Sequence, residues 1–314
     1  MVSNIAIITG GKGSERDISI RSSESTRVAL VGMGYQVSVY TFPEEQDQFF
    51  SEYSVYDFAF VMIHGEDGED GRVPALLELL DIPFAGSPSQ AHALCIDKAR
   101  TKQIWRDRGL PVANEYIGDI GNFDLFQIES VINNVGGYPV VIKSLTEGSS
   151  QGVYIIMDHD DLLAHYPSIK QHHQDMMIEC YIEGREFTVA VLENTDGIIQ
   201  ALPVVEIIPP EGQQFDYENK YNGSTDEICP AKIDTILTQQ LQDLALKAHK
   251  STGCSGYSRT DIMLGSSGPV LLEINTIPGF TDQSLFPLAA KSNAISFSEL
   301  LNIMIQTGQN KKTS

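Results

Sequence analysis

Apolar and polar positions change rhythm about a third of the way along the chain. Residues 4–9, 36–41 and 57–63 are short, β-branched or aromatic runs that read as strands. Between and after them lie a helix-like stretch to about residue 31, a helix over 74–80 and a short strand over 83–86. Such alternation predicts a parallel sheet with helices on its faces. A polar helical stretch over 96–102 opens a second pattern. Its strands are predicted at 137–143, 153–157, 176–181 and 200–208. Ile236, Leu237, Leu241, Leu244, Ala245 and Ala248 keep helical spacing within 233–252, and a closing helix follows over 295–305. The long polar segment 209–232 reads as a lid, because Phe215, Tyr217 and Tyr221 argue against plain disorder.

The stretch 257–287 carries the densest chemistry. Two apolar runs, 262–264 and 270–274, flank Gly265-Ser266-Ser267-Gly268 and read as a hairpin. Side chains alternate faces along a strand, so Arg259 shares a face with Asp261, and Glu273 with Asn275. Folding about the loop brings Asp261 near Glu273. Carboxylate and amide oxygens without Cys or His suit a hard cation such as Mg²⁺. A solvated polar face is the plainer reading. Against it, Glu273 and Asn275 interrupt an otherwise apolar run, where burying unpaired acids costs several kcal/mol.

Three loops add candidate binding groups. Gly10–Asp17 is a glycine turn leading into a helix start, which favours anions, and Glu15 beside it can pair with an ammonium. It lacks the glycine spacing of a dinucleotide fingerprint or a P-loop, which disfavours an NAD-dependent oxidoreductase. His64 opens HGEDGEDG at a strand's carboxyl end, where small ligands bind, and reads as a hydrogen-bonded residue near them. Glu147–Val153 is a Gly/Ser loop able to fold over phosphates, with Lys143 as a point charge.

Charge and cysteines narrow the class. A chain of 314 residues, 42% hydrophobic and 20% charged, is globular. A net charge of −21 disfavours nucleic acid and anionic membranes as partners. The four cysteines show no zinc spacing and read as reduced thiols, and the first residues lack a signal-peptide pattern. Together these predict a cytoplasmic protein without membrane insertion.

Taken in order, GGKGSERDIS, HGEDGEDG, AGSPSQAHALCIDKARTK, GGYPVVIK, EGSSQGV, ECYIEGREFTV, ENKY and SRTDIM…LLEINTIPGFTDQSLFP span essentially the whole chain. This order resembles the ATP-grasp superfamily and, within it, the D-alanine–D-alanine ligases. The resemblance implies an α/β (α+β) ATP-grasp fold: a Rossmann-like domain over 1–95, a central subdomain over 96–186 and a catalytic subdomain over 187–314. It implies joining of two D-alanines through an acyl phosphate, with ATP and two Mg²⁺ or Mn²⁺ ions. A homodimer is likewise expected from the resemblance.

Residue roles follow from the same resemblance. Lys98, Lys143, Glu179, Cys180, Tyr181, Ile182, Glu186 and Lys220 are expected to hold ATP. Asp261, Glu273 and Asn275 are the expected metal ligands. Arg259 and the Gly279 amide are the expected oxyanion stabilisers. Glu15 matches the residue that holds the first substrate's ammonium, and Ser149 and Tyr221 its orienting partners. Ser284 and Leu285 match the pocket for the second substrate's carboxylate; His64, from its place at a strand end rather than from the resemblance, is expected among the substrate-binding groups. Lys220-Tyr221 matches dipeptide-forming members, where depsipeptide-forming relatives carry His; D-serine or D-lactate as second substrate is the alternative. Gly13, Ser144 and a slightly short interval between Asp261 and Glu273 depart from the family's pattern.

Overall fold

The structure is a computed structural model that describes residues 2–148, 152–173, 175–210, 225–281 and 283–310. The chain begins β1 (Asn4–Gly10), α1 (Arg16–Gly32), β2 (Gln36–Phe42), α2 (Gln46–Glu52), β3 (Phe58–Met62), α3 (Arg72–Leu79) and α4 (Ser89–Cys95). The three strands form a parallel sheet in the order β2-β1-β3, as their alternation with helices predicts. The strand expected over 83–86 is a single bridge, Ala59 to Phe84.

The face of this sheet that each residue takes is set by the two-residue repeat of a strand. Ile5, Ile7, Phe58 and Phe60 point to one core and Ala6, Ile8, Val61 and Ile63 to the other. The second core is closed locally, by Phe49, Val73 and Leu77 from α2 and α3. The first is closed by the far end of the chain, through Phe286, Leu300, Leu301, Met304 and Ile305.

The middle of the chain adds α5 (Lys98–Asp107), β4 (Glu115–Gly118), α6 (Leu125–Val135), β5 (Val140–Ser144), β6 (Val153–Ile156), α7 (His159–Ile169) and β7 (Met176–Cys180). The strands form an antiparallel sheet, β4-β7-β5-β6. Val140, Ile142 and Ile178 pack under α6 and α7, so Val141, Lys143 and Glu179 face the other way. The helix α5 begins at a capped Asp97, whose side chain accepts from Ala99 and Arg100 N–H groups. Trp105 on α5 is buried against the third sheet.

That third sheet runs β8 (Gly184–Glu193), β9 (Ile199–Ala201), β10 (Val205–Ile208) and β11 (Asp226–Ile228), then after α8 (Thr235–Ser251) the hairpin β12 (Tyr257–Gly265) and β13 (Gly268–Asn275). Its order is β11-β10-β8-β12-β13, with β9 also on β8. The single strand expected over 200–208 is divided into β9 and β10, with Pro203 in the break; proline cannot donate to a ladder. Part of the expected lid, 209–232, lies outside the described residues, and its end is the edge strand β11. Helices α9 (Leu285–Ser292) and α10 (Phe297–Asn310) follow.

The hairpin turns at Ser266-Ser267, with Gly265 opposite Gly268 and Gly268 at φ +113°. Its register carries a bulge. Asp261 pairs with Glu273 and Ile262 with Leu271, leaving Leu272 extra on β13. Unbroken alternation would send Glu273 to the side of buried Leu271. The extra residue resets the parity, so Leu271 and Ile274 stay in the core while Leu272 and Glu273 both turn outward.

Phe60 is fully buried in the core shared by the first sheet and the last helices. Phe60→Ala is expected to cost about 3–5 kcal/mol, read as a lower urea midpoint at unchanged slope.

Candidate active site

A cleft of about 450 Å³ separates the second and third sheets. Its walls are the outward positions just described. Val141, Lys143, Ile155 and Glu179 come from one sheet, and Glu186, Asp261, Met263, Leu272 and Glu273 from the other. The connection Cys180-Tyr181-Ile182 between β7 and β8 closes one end. Lys98, at the first turn of α5, reaches in from the side. The expected ATP set is therefore gathered on one cleft, except Lys220, which lies outside the described residues.

Every buried acid here meets a cation. Glu179 is 3% exposed and contacts both Lys102 and Lys143. Burial alone would raise its carboxyl, but the two ammonium groups outweigh that and hold it at about 2. Burial drives Lys102 down, aided by Lys143. For Lys143 burial is outweighed by Glu179, and it stays above the usual lysine value. Lys98 Nζ lies 3.2 Å from Glu273 and donates to the Glu147 carbonyl at 2.8 Å.

The hairpin delivers the third group of charges. Arg259, Asp261 and Asn275 converge as register and parity require. Arg259 donates from Nε (3.1 Å) and Nη2 (2.9 Å) to the two oxygens of Asp261. Asn275 Nδ2 donates to Asp261 at 3.0 Å, and Thr188 Oγ1 on β8 donates at 2.5 Å. The expected metal ligands thus share one patch. Their donors are two carboxylates and one amide oxygen, a hard set that fits Mg²⁺ or Mn²⁺. Among the described residues no group of three or more His, Cys, Asp or Glu gathers to hold a metal, at this patch or elsewhere.

A second set of contacts holds the loop after β13. His64 is buried; its Nδ1 meets the Ile277 carbonyl at 2.8 Å and its Nε2 the Ser22 hydroxyl at 3.0 Å. Burial lowers its pKa, so the ring is neutral at pH 7. Ser22 also accepts from the Phe280 amide, at 3.3 Å. Glu69 accepts from the Ile277 and Gly65 amides at 3.1 and 2.9 Å. These bonds fix the segment carrying Gly279 against the HGEDGEDG loop. Ser284 stands at the N-cap position of α9, and its hydroxyl accepts from the preceding Thr281 amide. A Cβ on Gly279 would lie 2.7 Å from that hydroxyl, so a side chain there would have to displace Ser284. Leu285 is buried beside it.

Glu15 stands at the start of α1, with Gly65 and Gly148 against its carboxylate; a Cβ on Gly148 would sit 2.5 Å from Oε2. This brings the first glycine turn to the Gly/Ser loop, although Ser149 and Tyr221 lie outside the described residues. Pattern reading missed Lys102, Glu115, Glu69, Ser22 and Thr188. For Lys102 a signal existed: it is one turn from Lys98 on the same helix face.

Burial, reinforced by Glu15, raises Glu69 to about 7. Its folded pKa exceeds the ordinary 4.5, so its protonation stabilises the fold at low pH and is lost as pH rises from about 4.5 to about 7. The unfolding free energy of wild type relative to Glu69→Gln should fall across that window and level off above it, in denaturant titrations at stepped pH.

Two family models match the chain: "D-ala D-ala ligase N-terminus" over residues 39–87 and "D-ala D-ala ligase C-terminus" over 104–306. A D-alanine–D-alanine ligase of Desulfotalea psychrophila is 39% identical over 98% of this chain and 95% of its own. One from Desulforudis audaxviator is 37% identical over 99% and 100%. Among solved structures, the Bacillus anthracis D-alanine–D-alanine ligase complexed with ATP superposes at TM-score 0.83 with 28% identity, covering 99% of each chain. The VanG D-Ala:D-Ser ligase of Enterococcus faecalis gives 0.78 and 28%, over 98% and 100%. The architecture is the ATP-grasp fold, and the chain belongs to the D-alanine–D-alanine ligase family.

Proposed function

We propose that this chain joins two D-alanines at the expense of ATP, giving D-alanyl-D-alanine, ADP and phosphate for peptidoglycan precursor synthesis. The observation that carries the reading is the convergence of Lys98, Lys143, Asp261 and Glu273 on one cleft, with Arg259 bound to Asp261 at its edge. The curated relatives of 37–39% identity are D-alanine–D-alanine ligases, which favours D-alanine over D-serine or D-lactate at the second site.

In this reading adenine lies against the connection of Glu179, Cys180, Tyr181 and Ile182, and Glu186 takes the ribose. Lys98 and Lys143 offset the phosphate charge. Asp261, Glu273 and Asn275 would hold two Mg²⁺ or Mn²⁺ ions, which would neutralise phosphate oxygens when bound. Glu15 holds the first D-alanine's ammonium, with Ser149 and Tyr221 orienting that end. The first D-alanine's carboxylate attacks the γ-phosphorus, ADP leaves, and an acyl phosphate forms. Ser284 and Leu285 seat the carboxylate of the second D-alanine, whose amine attacks the acyl carbon.

Arg259 and the Gly279 N–H then meet the tetrahedral oxyanion before phosphate departs. His64 acts through the loop it holds. Residues 209–232, including Lys220 and Tyr221, form a lid that keeps water from the acyl phosphate. The three sheets are read as three units, 1–95, 96–186 and 187–314, in a cytoplasmic homodimer. Among the described residues no helix is long and apolar enough to cross a membrane.

The direct test is ATP-dependent phosphate release with D-alanine, set against D-serine and D-lactate as second substrates and L-alanine as control. D-alanine alone should support full turnover; no release with D-alanine would refute the assignment. Arg259→Ala should lower kcat by a hundred- to a thousandfold, roughly 3–4 kcal/mol, with little change in KM for ATP. Glu273→Gln should remove Mg²⁺-dependent turnover and leave the circular dichroism spectrum unchanged. Wild-type turnover in that variant would move the metal elsewhere.

A further inference from the structure

Two lysines one turn apart on α5 share a face of that helix. Lys98 reaches the cleft. Lys102 does not line it; the side chain is fully buried, in contact with Glu179 and 3.6 Å from Glu115. Those two acids are register partners on β7 and β4. Like charges directly opposite across a ladder repel, and here both side chains are about 4% exposed. A single ammonium supplied from the helix meets both.

The contacts continue in either direction. Arg106, one turn further along α5 and half exposed, holds Glu115 at 2.8 Å. The second oxygen of Glu179 holds Lys143, which lines the cleft. The row Arg106, Glu115, Lys102, Glu179, Lys143 therefore alternates in sign from the surface to the cleft. Val141 lies opposite Glu179 in register, so Lys143, two residues on and on the same face, is its diagonal neighbour. Where Lys143 sits is decided by where Glu179 is held, and one of Glu179's two oxygens is held by Lys102.

The geometry points to Lys102 as a positioning residue for the nucleotide: from outside the cleft it fixes Glu179 and, through it, places Lys143 against the phosphates. This rests on the reading of the cleft as an ATP site. The rival account makes Lys102 a structural filler whose loss weakens the fold without touching ATP selectively. Methionine is close to lysine in shape, and after Lys102→Met both acids keep one cation each, Lys143 and Arg106.

The test compares wild type, Lys102→Met, Glu179→Gln and the double variant. ATP binding is measured by calorimetry, and KM for ATP, KM for D-alanine and kcat from phosphate release. Loss of a hydrogen bond between charged groups predicts about a tenfold weaker Kd and KM for ATP in Lys102→Met. The value of kcat at saturating ATP should stay within roughly threefold, and KM for D-alanine should be unchanged. Because Lys102 acts through Glu179, the double variant should bind ATP no more weakly than Glu179→Gln alone. Wild-type ATP affinity in Lys102→Met overturns the inference. So do multiplying effects in the double variant, or equal rises in both KM values. If Lys102→Met does not fold, Lys102→Gln, which keeps a donor toward Glu179, carries the same expectations in weaker form. Should wild type itself bind no ATP, the reading of the cleft falls too, and that result is distinct from wild-type binding with an indifferent variant.

Discussion

Taking a carboxylate out of water costs several kcal/mol unless a cation and further donors come with it. The cleft of this chain takes several from the inner faces of two sheets, among them Glu179, Asp261 and Glu273. Each of these three is met by a cation: Lys102 from α5 and Lys143 from β5 for Glu179, Arg259 of the same strand β12 for Asp261, Lys98 from α5 for Glu273. These pairs orient the groups as well as neutralise them. A buried ion pair adds little net stability, yet removing one partner is strongly unfavourable, so each member fixes the other's place. The site is in this sense assembled before substrate arrives, with cations that a phosphate can take over.

The same balance ties α5 to both walls of the cleft. Lys98 bonds to the hairpin side and to the backbone of the Gly/Ser loop, while Lys102 bonds to the opposite sheet. Trp105 anchors the helix in the core of the third sheet. Opening or closing of the cleft must therefore move against contacts made by one short helix.

Much of this was legible in the residues. The parallel sheet followed from β-branched runs alternating with helical spacing, and the hairpin from two such runs about Gly265-Ser266-Ser267-Gly268. That Asp261 lies near Glu273 followed from folding about that loop, although plain counting would set Asp261 opposite Leu272. What escaped was set by long-range packing. Glu115 and Glu179 are 64 residues apart in sequence yet adjacent in register, so nothing local in either stretch marks the need for Lys102 between them. The bulge at Leu272 is equally silent, because a leucine pair reads the same whether one residue is inserted or not. His64 and Glu69 show as polar residues in a loop. Of their partners, Gly65 is in the same loop and Ser22 on α1, while Ile277 arrives only when the end of β13 returns to the first sheet.

The core shared by Ile5, Ile7 and Phe60 with Leu300, Leu301 and Met304 sets an order on synthesis. The ribosome delivers the parallel strands first and the helices that cover one of their faces last. Until translation nears its end, that oily surface is covered only in part, by Leu30 of α1 and by residues of the third sheet, and the remainder must be shielded by transient collapse or by a chaperone. A ribosome stalling late in the message would thus release a chain prone to clump, even though nearly every residue of the cleft had already been made.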